Sequence, residues 1–254
     1  MLTARPRAHR KTCPWCYIGQ RELQKAIKDA ADCELTIKVE HRPFLLHPCM
    51  AEDKVADKKT FYIEKFGEEK LKQITQTVNA RAENVGVKIT EWLTVMAAHN
   101  SGWEGWVCQT IRAHRLLMKA FVVGGQELQE KLLDALFYAY FTEGKNIADI
   151  HFLAELADGV GLLSKDQVIE FLKSDEYRAE VEQMANEARK KGVTGVPFTI
   201  INGRWAVSGG QTADVYTQIF HKLAGKGLMH PIPAAPSCSD TGCPAAAAPA
   251  AVKS

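Results

Sequence analysis

The sequence lacks any apolar run close to the roughly 18 residues that a membrane-spanning helix requires. It also lacks an excess of either charge, since 32 Lys and Arg stand against 30 Asp and Glu for a formal net charge of +2. Acidic and basic residues are interspersed, so no basic surface for nucleic acid is expected. We therefore expect neither a membrane nor nucleic acid as a partner. The 254 residues, 46% of them hydrophobic, are enough for one or two globular domains.

The N-terminal segment lacks the apolar core of a secretory signal. MLTARPRAHRK has four basic residues and no hydrophobic stretch after them. An Arg-rich start without acids is also found in mitochondrial presequences, but only twelve residues precede Cys13. The sequence therefore predicts a cytoplasmic protein.

Cysteine is too sparse for the disulfide framework of a small secreted fold, with seven residues in 254. Three stand alone and are expected to pack as small hydrophobes: Cys33, Cys49 and Cys108. The other four form two close pairs, Cys13 with Cys16 and Cys238 with Cys243. These pairs are the candidates for chemistry.

The first part of the chain predicts one helix and one strand. A stripe of small and apolar residues favours a helix over residues 14–31, which places the first cysteine pair at its N-terminus. ELTIKVE at 34–40 alternates strictly and predicts a half-buried strand.

From about residue 51 to 191 the apolar residues recur at helical spacing, which predicts an all-helical block. Strand character returns at PFTIINGRWAV, where Asn202 and Gly203 are suited to a hairpin turn. A last helix ends at Gly225, and the Pro- and Ala-rich remainder predicts a flexible tail.

A CxxC pair at a helix N-terminus favours redox chemistry. The unsatisfied backbone N–H groups and the positive end of the helix dipole stabilise a thiolate, so the pKa of Cys13 is expected below the ~8.5 of an ordinary thiol. Cys13 is therefore the predicted nucleophile, and Cys16, one turn inside, the predicted resolving thiol. Pro14 suits the first helical turn because its missing N–H is not needed there.

A zinc site is the main structural alternative. Cys13 and Cys16 could join Cys238 and Cys243 as four thiolates. Ribbon-type sites, however, separate their pairs by roughly 15 to 20 residues, whereas these pairs lie at opposite ends of the chain. We therefore expect a redox dithiol and no metal.

The segment KGVTGVPFTIING at 191–203 supplies a second candidate element. A Val-Pro step that opens a strand is a place where a cis peptide bond can occur. A cis Pro197 would turn the backbone of Val196 toward the dithiol and offer a substrate peptide an edge. An ordinary trans proline at an edge strand is the alternative.

Six motifs then coincide with those of a known family: CPWCYIG at 13–19, RPFLLHP at 42–48, AHRL at 113–116, AYFTEGKNI at 139–147, GVPFTIING at 195–203 and AVSGGQ at 206–211. Over about residues 13 to 225 the sequence resembles the FrnE-like branch of the DsbA-type thioredoxin-fold oxidoreductases. The resemblance implies an α/β, thioredoxin-like fold interrupted by a large all-helical insertion.

The resemblance also implies roles for individual residues. Cys13 and Cys16 would be the catalytic pair, and Pro14, Trp15, Val196 and Pro197 the substrate-binding residues. His114 and Arg115 match a motif of the family but are left without a role, because a histidine on a helix face is more often packed or solvated than catalytic.

The predicted organisation has three parts. Residues 1–49 and 192–227 form a discontinuous thioredoxin-like domain, residues 50–191 the helical insertion, and residues 228–254 the flexible tail. Relatives reach the dithiol from a hydrophobic central strand, whereas this chain offers RPRAHRKT, which is poorly suited to burial on both faces. The N-terminal strand is therefore predicted to be atypical or missing.

The predicted function is thiol–disulfide oxidoreduction through the CPWC dithiol. Its partners would be protein thiols and disulfides or glutathione, with glutathione as a redox partner and no bound cofactor. A homodimer is compatible with the sequence. Two alternatives stay open: a glutathione-dependent transferase or isomerase of a small molecule, and a non-catalytic, chaperone-like binding module. Cys238 and Cys243, which four residues separate in the tail, are predicted to form an auxiliary redox pair.

Overall fold

The structure, a computed structural model, describes residues 2–9 by their main chain and residues 12–45, 47, 50–89 and 105–225 in full. Eight helices lie in these ranges: α1 Pro14–Asp29, α2 Lys58–Phe66, α3 Glu68–Glu83, α4 Ile111–Phe141, α5 Ile150–Gly159, α6 Lys165–Lys173, α7 Arg178–Lys190 and α8 Ala213–Leu223. The strands are β1 Leu2–His9, β2 Ile37–Pro43, β3 Val55–Asp57, β4 Trp106–Cys108, β5 Phe198–Ile201 and β6 Trp205–Ser208. None of the described helices is long and apolar enough to span a bilayer.

Four strands form the main sheet in the order β2-β1-β5-β6. β1 pairs in parallel with β2 and antiparallel with β5, while β5 and β6 form an antiparallel hairpin. The hairpin turns at Asn202 and Gly203, whose φ angles are 52° and 69°, as the Asn-Gly step predicts. The helical insertion lies between β2 and β5, and the predicted fold class is confirmed.

The N-terminal strand, expected to be atypical or missing, is present as β1. β1 lies inside the sheet, and its main chain pairs with a neighbour on both sides. It is nevertheless atypical, because its register shifts between Ala4 and Arg7 against β2 and between Arg5 and Ala8 against β5. Both shifts surround Pro6, which has no N–H to donate to a ladder. Main-chain pairing thus forms a strand at Leu2–His9, although the side-chain pattern of this segment does not favour a central strand.

The predicted strand at 34–40 is displaced by three residues, because β2 runs over Ile37–Pro43. Its register with β1, from Leu2 opposite Ile37 to His9 opposite Pro43, fixes these bounds. β2 is an edge strand, and two glutamines of α4 cover that edge. The backbone N–H groups of Val39 and His41 donate to the side-chain oxygens of Gln126 and Gln129, at 2.8 Å in both cases.

The predicted all-helical block contains α2 to α7 but is not purely helical. Strands β3 and β4 pair antiparallel within it, with Val55 opposite Cys108. Each strand has three residues, and they come from distant parts of the sequence, so no local periodicity could show their pairing. The structure does not decide the predicted domain boundaries, which stay predictions.

Helix α4 is bent at a pair of glycines within the predicted helical block. Gly124 and Gly125 have non-helical backbone angles, with φ of −132° and 64°. A Cβ at Gly124 would lie 2.6 Å from Cβ of Leu128, so a side chain does not fit there. The bend lets the second half of the helix pack separately. In that half one apolar stripe at helical spacing is buried: Leu133, Leu136, Phe137, Tyr140 and Phe141.

Two apolar cores meet at helix α1. Cys16, Tyr17 and Ile18 belong to the larger core, which contains the helical insertion. Leu23 and Ala26, further along the same helix, belong to the smaller core between α1, α8 and the sheet. The N-terminus of α1, which carries the dithiol, therefore lies where the two parts of the molecule join.

Candidate functional site

The two cysteines of CPWC differ in their access to solvent. Cys13 is the N-cap of α1, in extended conformation, and is half-buried. Pro14 occupies the first helical turn, and Cys16 is fully buried one turn on, at 0% exposure. The helix start thus presents one sulfur to the surface and holds the second behind it.

The loop at Val196 lies against this helix start. The Val196–Pro197 peptide bond is cis. The thiol of Cys13 donates to the carbonyl oxygen of Val196, with 3.7 Å between sulfur and oxygen, across 183 positions of sequence. The fold therefore brings together the two motifs that the sequence singles out.

Two glycines allow this close approach. A Cβ on Gly19 would lie 3.1 Å from Cγ of Pro197, and a Cβ on Gly210 would lie 3.2 Å from both the ring and the carbonyl oxygen of Trp15. The N–H of Gly209 donates to the carbonyl of Pro197 at 2.8 Å. Larger residues would push the loop away from the helix. Both glycines lie within the CPWCYIG and AVSGGQ motifs, but their sequence neighbours give no sign of this packing role.

A buried ion pair holds the Gly209–Gly210 loop, which contacts the main chain of Pro197. The carboxylate of Glu22, whose side chain is 8% exposed, accepts from the N–H of Ala213 at 2.9 Å and from Arg81 at 3.1 Å. The same Nη2 of Arg81 donates to the carbonyl of Gly210 at 3.1 Å. Since Arg81 belongs to α3 and Glu22 to α1, this contact joins the insertion, the dithiol helix and the Gly209–Gly210 loop. Sequence reasoning missed it, because no local pattern pairs residues so far apart.

The four predicted substrate-binding residues differ in exposure. Trp15 is half-buried, whereas the side chains of Pro14, Val196 and Pro197 are buried. The contact expected at Val196 is one of its main chain, which does not require an exposed side chain. The Trp15 side chain and the main chain of the Val196–Pro197 loop are the parts of this set that lie at the dithiol.

A buried polar cluster lies in the insertion near the dithiol. The Nζ of Lys58 is 4.3 Å from the centre of the Tyr140 ring, and burial lowers the pKa of Lys58 to about 8. Burial raises the pKa of Cys108 to about 12. Burial also raises the pKa of Tyr140 well above its usual value, and the neighbouring Tyr62, Cys108 and Cys13 raise the pKa of Tyr140 further. Cys108 is thus a buried thiol of low reactivity, in keeping with the packing role expected for it.

Arg115, which the sequence analysis leaves without a role, is a buried structural residue. Its guanidinium is 0% exposed and donates to four main-chain carbonyls, those of Phe171, Leu172, Ser174 and Glu176. These carbonyls lie at the C-terminal end of α6 and just after it, where helical carbonyls lack partners in the helix itself. His114 beside it is also buried, at 2% exposure.

Three cysteines for which the sequence predicts a role lie outside the described residues: Cys49, Cys238 and Cys243. The auxiliary redox pair in the tail therefore stays a prediction.

Comparison with known proteins gives a family and several related folds. A family model described as DSBA-like thioredoxin domain matches residues 11–221. No curated protein matches the chain. Among solved structures, a "probable DsbA oxidoreductase" from Streptomyces coelicolor is 29% identical with a TM-score of 0.74, covering 96% of this chain and 98% of the other.

More distant structures share the fold. The cytosolic disulfide reductase DsbM from Pseudomonas aeruginosa, solved with GSH, is 16% identical with a TM-score of 0.57 and covers 87% of this chain and 98% of its own. A 2-hydroxychromene-2-carboxylate isomerase is 12% identical with a TM-score of 0.55, covering 87% of this chain and 92% of its own. At these identities the likeness concerns architecture, and an oxidoreductase and an isomerase both use it.

Proposed function

Because the chain belongs to the DSBA-like thioredoxin domain family, we propose that it is a thiol–disulfide oxidoreductase that reduces or isomerises protein disulfides through Cys13 and Cys16. The observation that carries the proposal is the arrangement of the two sulfurs. Cys13 is half-buried at a helix N-terminus and faces the Val196 carbonyl, and Cys16 is fully buried one turn behind it. A disulfide substrate meets Cys13 first.

The proposed reaction has two exchange steps. The Cys13 thiolate attacks one sulfur of the substrate disulfide, forming a mixed disulfide and releasing the other sulfur as a thiolate that takes up a proton. Cys16 then loses its proton and attacks the Cys13 sulfur. The second substrate thiol leaves, the Cys13–Cys16 disulfide forms, and the substrate has gained two electrons. A thiol reductant such as glutathione then returns the dithiol to its reduced form.

The other residues of the site support substrate placement. We propose that the half-buried Trp15 side chain and the main chain at Val196 and Pro197 contact the substrate, since both lie against the dithiol. A cytoplasmic location is part of the proposal and rests on the sparse cysteines, which do not form the disulfide framework of a secreted fold. Assignment to the FrnE-like branch rests on the motifs alone.

Reduction of insulin disulfides by dithiothreitol tests the proposal. We expect catalysis by the wild type, none by Cys13→Ser, and a rate close to wild type for Cys33→Ala, which removes a buried thiol at the other end of α1. Equal rates for wild type and Cys13→Ser would contradict the redox function.

The same preparations separate the two alternatives. A glutathione-dependent rate on small electrophiles or aromatic isomerase substrates, without insulin reduction, would favour the transferase or isomerase. Suppression of aggregation that survives loss of both cysteines would favour a chaperone-like module.

A further inference from the structure

Three metal-ligating side chains meet at the end of α1 that lies away from the dithiol. Asp32 and Cys33 belong to a 3-10 turn, Ala31–Cys33, just after α1, and His221 lies in the last turn of α8. Their ligating atoms all lie within 4.8 Å of one another. The 16-residue helix α1 spans roughly 24 Å, so this cluster is separate from the Cys13 site.

The histidine of this cluster is buried with an unsatisfied ring nitrogen. His221 is 6% exposed, and within the described part of the chain its Nε2 has no hydrogen-bond partner. That nitrogen points toward Asp32, with 3.8 Å to Oδ1, which is too long for a hydrogen bond. A buried polar nitrogen without a hydrogen bond costs free energy, and a metal ion between it and the carboxylate would remove that cost.

The spacing of the ligands suits a tetrahedral ion. Zn²⁺ bonds of about 2.0 Å to oxygen and nitrogen and about 2.3 Å to sulfur place ligand atoms about 3.3 to 3.6 Å apart. The Cys33 sulfur is 3.6 Å from Oδ1 of Asp32, and Nε2 of His221 is 3.8 Å from it. The sulfur–oxygen edge is therefore near the required length, the oxygen–nitrogen edge must shorten by about 0.5 Å, and the Cys33–His221 edge by at most about 1.3 Å.

The surroundings favour a cation. Glu22 of α1 contacts Ala213 at the start of α8, and Asp32 after α1 lies beside His221 at the end of α8, so the two helices run in the same direction. Their C-termini meet at the cluster, and each carries the negative end of a helix dipole. Asp32 adds a carboxylate whose side chain is 61% exposed, so an ion can enter from solvent.

We propose that Asp32, Cys33 and His221 form a Zn²⁺ site with three protein ligands and a fourth position open to solvent. Binding releases the thiol proton of Cys33 to solvent, because the thiolate is the ligand. The ion joins the ends of α1 and α8 and stabilises the folded chain, because it binds a site that only the fold assembles. The sequence predicts no metal here, since its two ligating segments lie at opposite ends of the chain.

Titration with Co²⁺ tests the site in a full-length chain that lacks the other paired thiols: Cys13→Ser, Cys16→Ser, Cys238→Ser, Cys243→Ser. We expect one equivalent of Co²⁺ to give visible d–d bands of tetrahedral coordination and a near-ultraviolet thiolate charge-transfer band. Zn²⁺ should displace the Co²⁺ and raise the melting temperature.

Single substitutions in that chain identify the ligands. Cys33→Ala should remove the charge-transfer band, and Asp32→Asn and His221→Gln should weaken Co²⁺ binding more than about tenfold. His151→Gln, at an exposed histidine of α5, is the matched control and should change nothing.

The proposal is wrong if the chain does not bind one equivalent of Co²⁺. It is also wrong if Cys33→Ala keeps the thiolate charge-transfer band and binds Co²⁺ with unchanged affinity. If the substitutions at the buried residues Cys33 and His221 unfold the chain, the Asp32→Asn variant provides the test, because the exposed side chain of Asp32 tolerates replacement. Unchanged affinity in Asp32→Asn would then overturn the proposal. None of these measurements depends on insulin reduction, because Cys13 is replaced by serine in every chain that is titrated.

Discussion

The position of Cys13 determines how reactive its sulfur is. It caps α1 without a side-chain hydrogen bond to the helix backbone, so the helix N-terminus acts on a half-exposed sulfur. Basic residues precede Cys13 in sequence, and their side chains lie outside the part of the chain that the structure describes. The helix start is therefore the feature that predicts a reactive Cys13 thiol.

We expect alkylation of Cys13 by iodoacetamide to show an apparent pKa clearly below ~8.5, because the helix dipole favours the thiolate. The measurement is the pH dependence of modification, followed at the Cys13 peptide by mass spectrometry. Cys108 in the same digest is the control and should stay unmodified in the folded chain, since it is 1% exposed and its pKa is about 12. A Cys13 midpoint at ~8.5 would contradict the argument.

Lys58 should make the stability of the fold depend on pH. Burial lowers its pKa in the folded state from 10.5 to about 8. Between these pH values the unfolded chain holds a proton that the folded chain has lost, so the unfolding free energy rises with pH across this window. Below about pH 8 both states hold the proton, and the unfolding free energy stays at its lower level. From pH 7 to pH 9 the expected gain in unfolding free energy is about 1.4 kcal/mol.

Lys58→Met isolates this effect. Urea denaturation gives the unfolding free energy of each chain at pH 7 and at pH 9. The increase from pH 7 to pH 9 should be smaller in Lys58→Met than in the wild type by about 1.4 kcal/mol. Lys59→Met, at the neighbouring and more exposed lysine of α2, is the control and should keep the wild-type dependence. Parallel pH profiles for the wild type and Lys58→Met would show that Lys58 is not the group responsible.

Helix α1 is the element on which the site depends. It contributes to both apolar cores, carries the dithiol at its N-terminus and passes the cis-proline loop at Gly19. Glycine inside a helix costs about 1 kcal/mol relative to alanine, so Gly19 is a local disadvantage. The close contact with Pro197 accounts for it, because a methyl group would lie 3.1 Å from the proline ring.

Gly19→Ala should therefore lower both stability and the rate of insulin reduction, since overpacking costs about 1–3 kcal/mol and displaces the loop from Cys13. Gly159→Ala in α5 is the matched control, because its Cβ would meet no atom within 4 Å. We expect that variant to keep its activity and to be as stable as wild type or slightly more so. Thermal denaturation and initial rates measure both, and equal behaviour of the two variants would contradict the steric argument.

At the level of the whole molecule, the main sheet depends on an unusual central strand. β1 pairs with β2 and β5 despite a register shift around Pro6 on each side. A central strand is normally rich in β-branched apolar residues, because it is covered on both faces. The segment LTARPRAH is not, so stability is lost at the centre of the sheet.

Replacing residues 2–9 by a β-branched apolar segment of equal length should raise the melting temperature by several degrees, since about 1 kcal/mol corresponds to roughly 2–4 °C in a chain of this size. The control is the same graft with proline kept at position 6, which should gain less because the ladder donor is still missing. Differential scanning calorimetry of the three chains is the measurement. No gain from the full graft would show that the native segment already serves as well as a regular strand.

Local sequence determined most of the elements of this protein and the identity of its dithiol. Apolar spacing predicted the helices of the insertion, Asn202–Gly203 predicted the hairpin, and CPWC before a helical pattern placed Cys13 at a helix start. These features depend on residues within a few positions of each other, so backbone propensity and periodicity are sufficient to predict them.

The tertiary structure alone decided what depends on distant residues. It paired β1 on both sides, joined β3 to β4, and set the bounds of β2 through its partner strand. It also placed Val196 against Cys13, Arg81 between Glu22 and Gly210, and His221 beside Asp32. None of these contacts has a local signal, because each is formed only when chain packing offsets the entropy of bringing remote segments together.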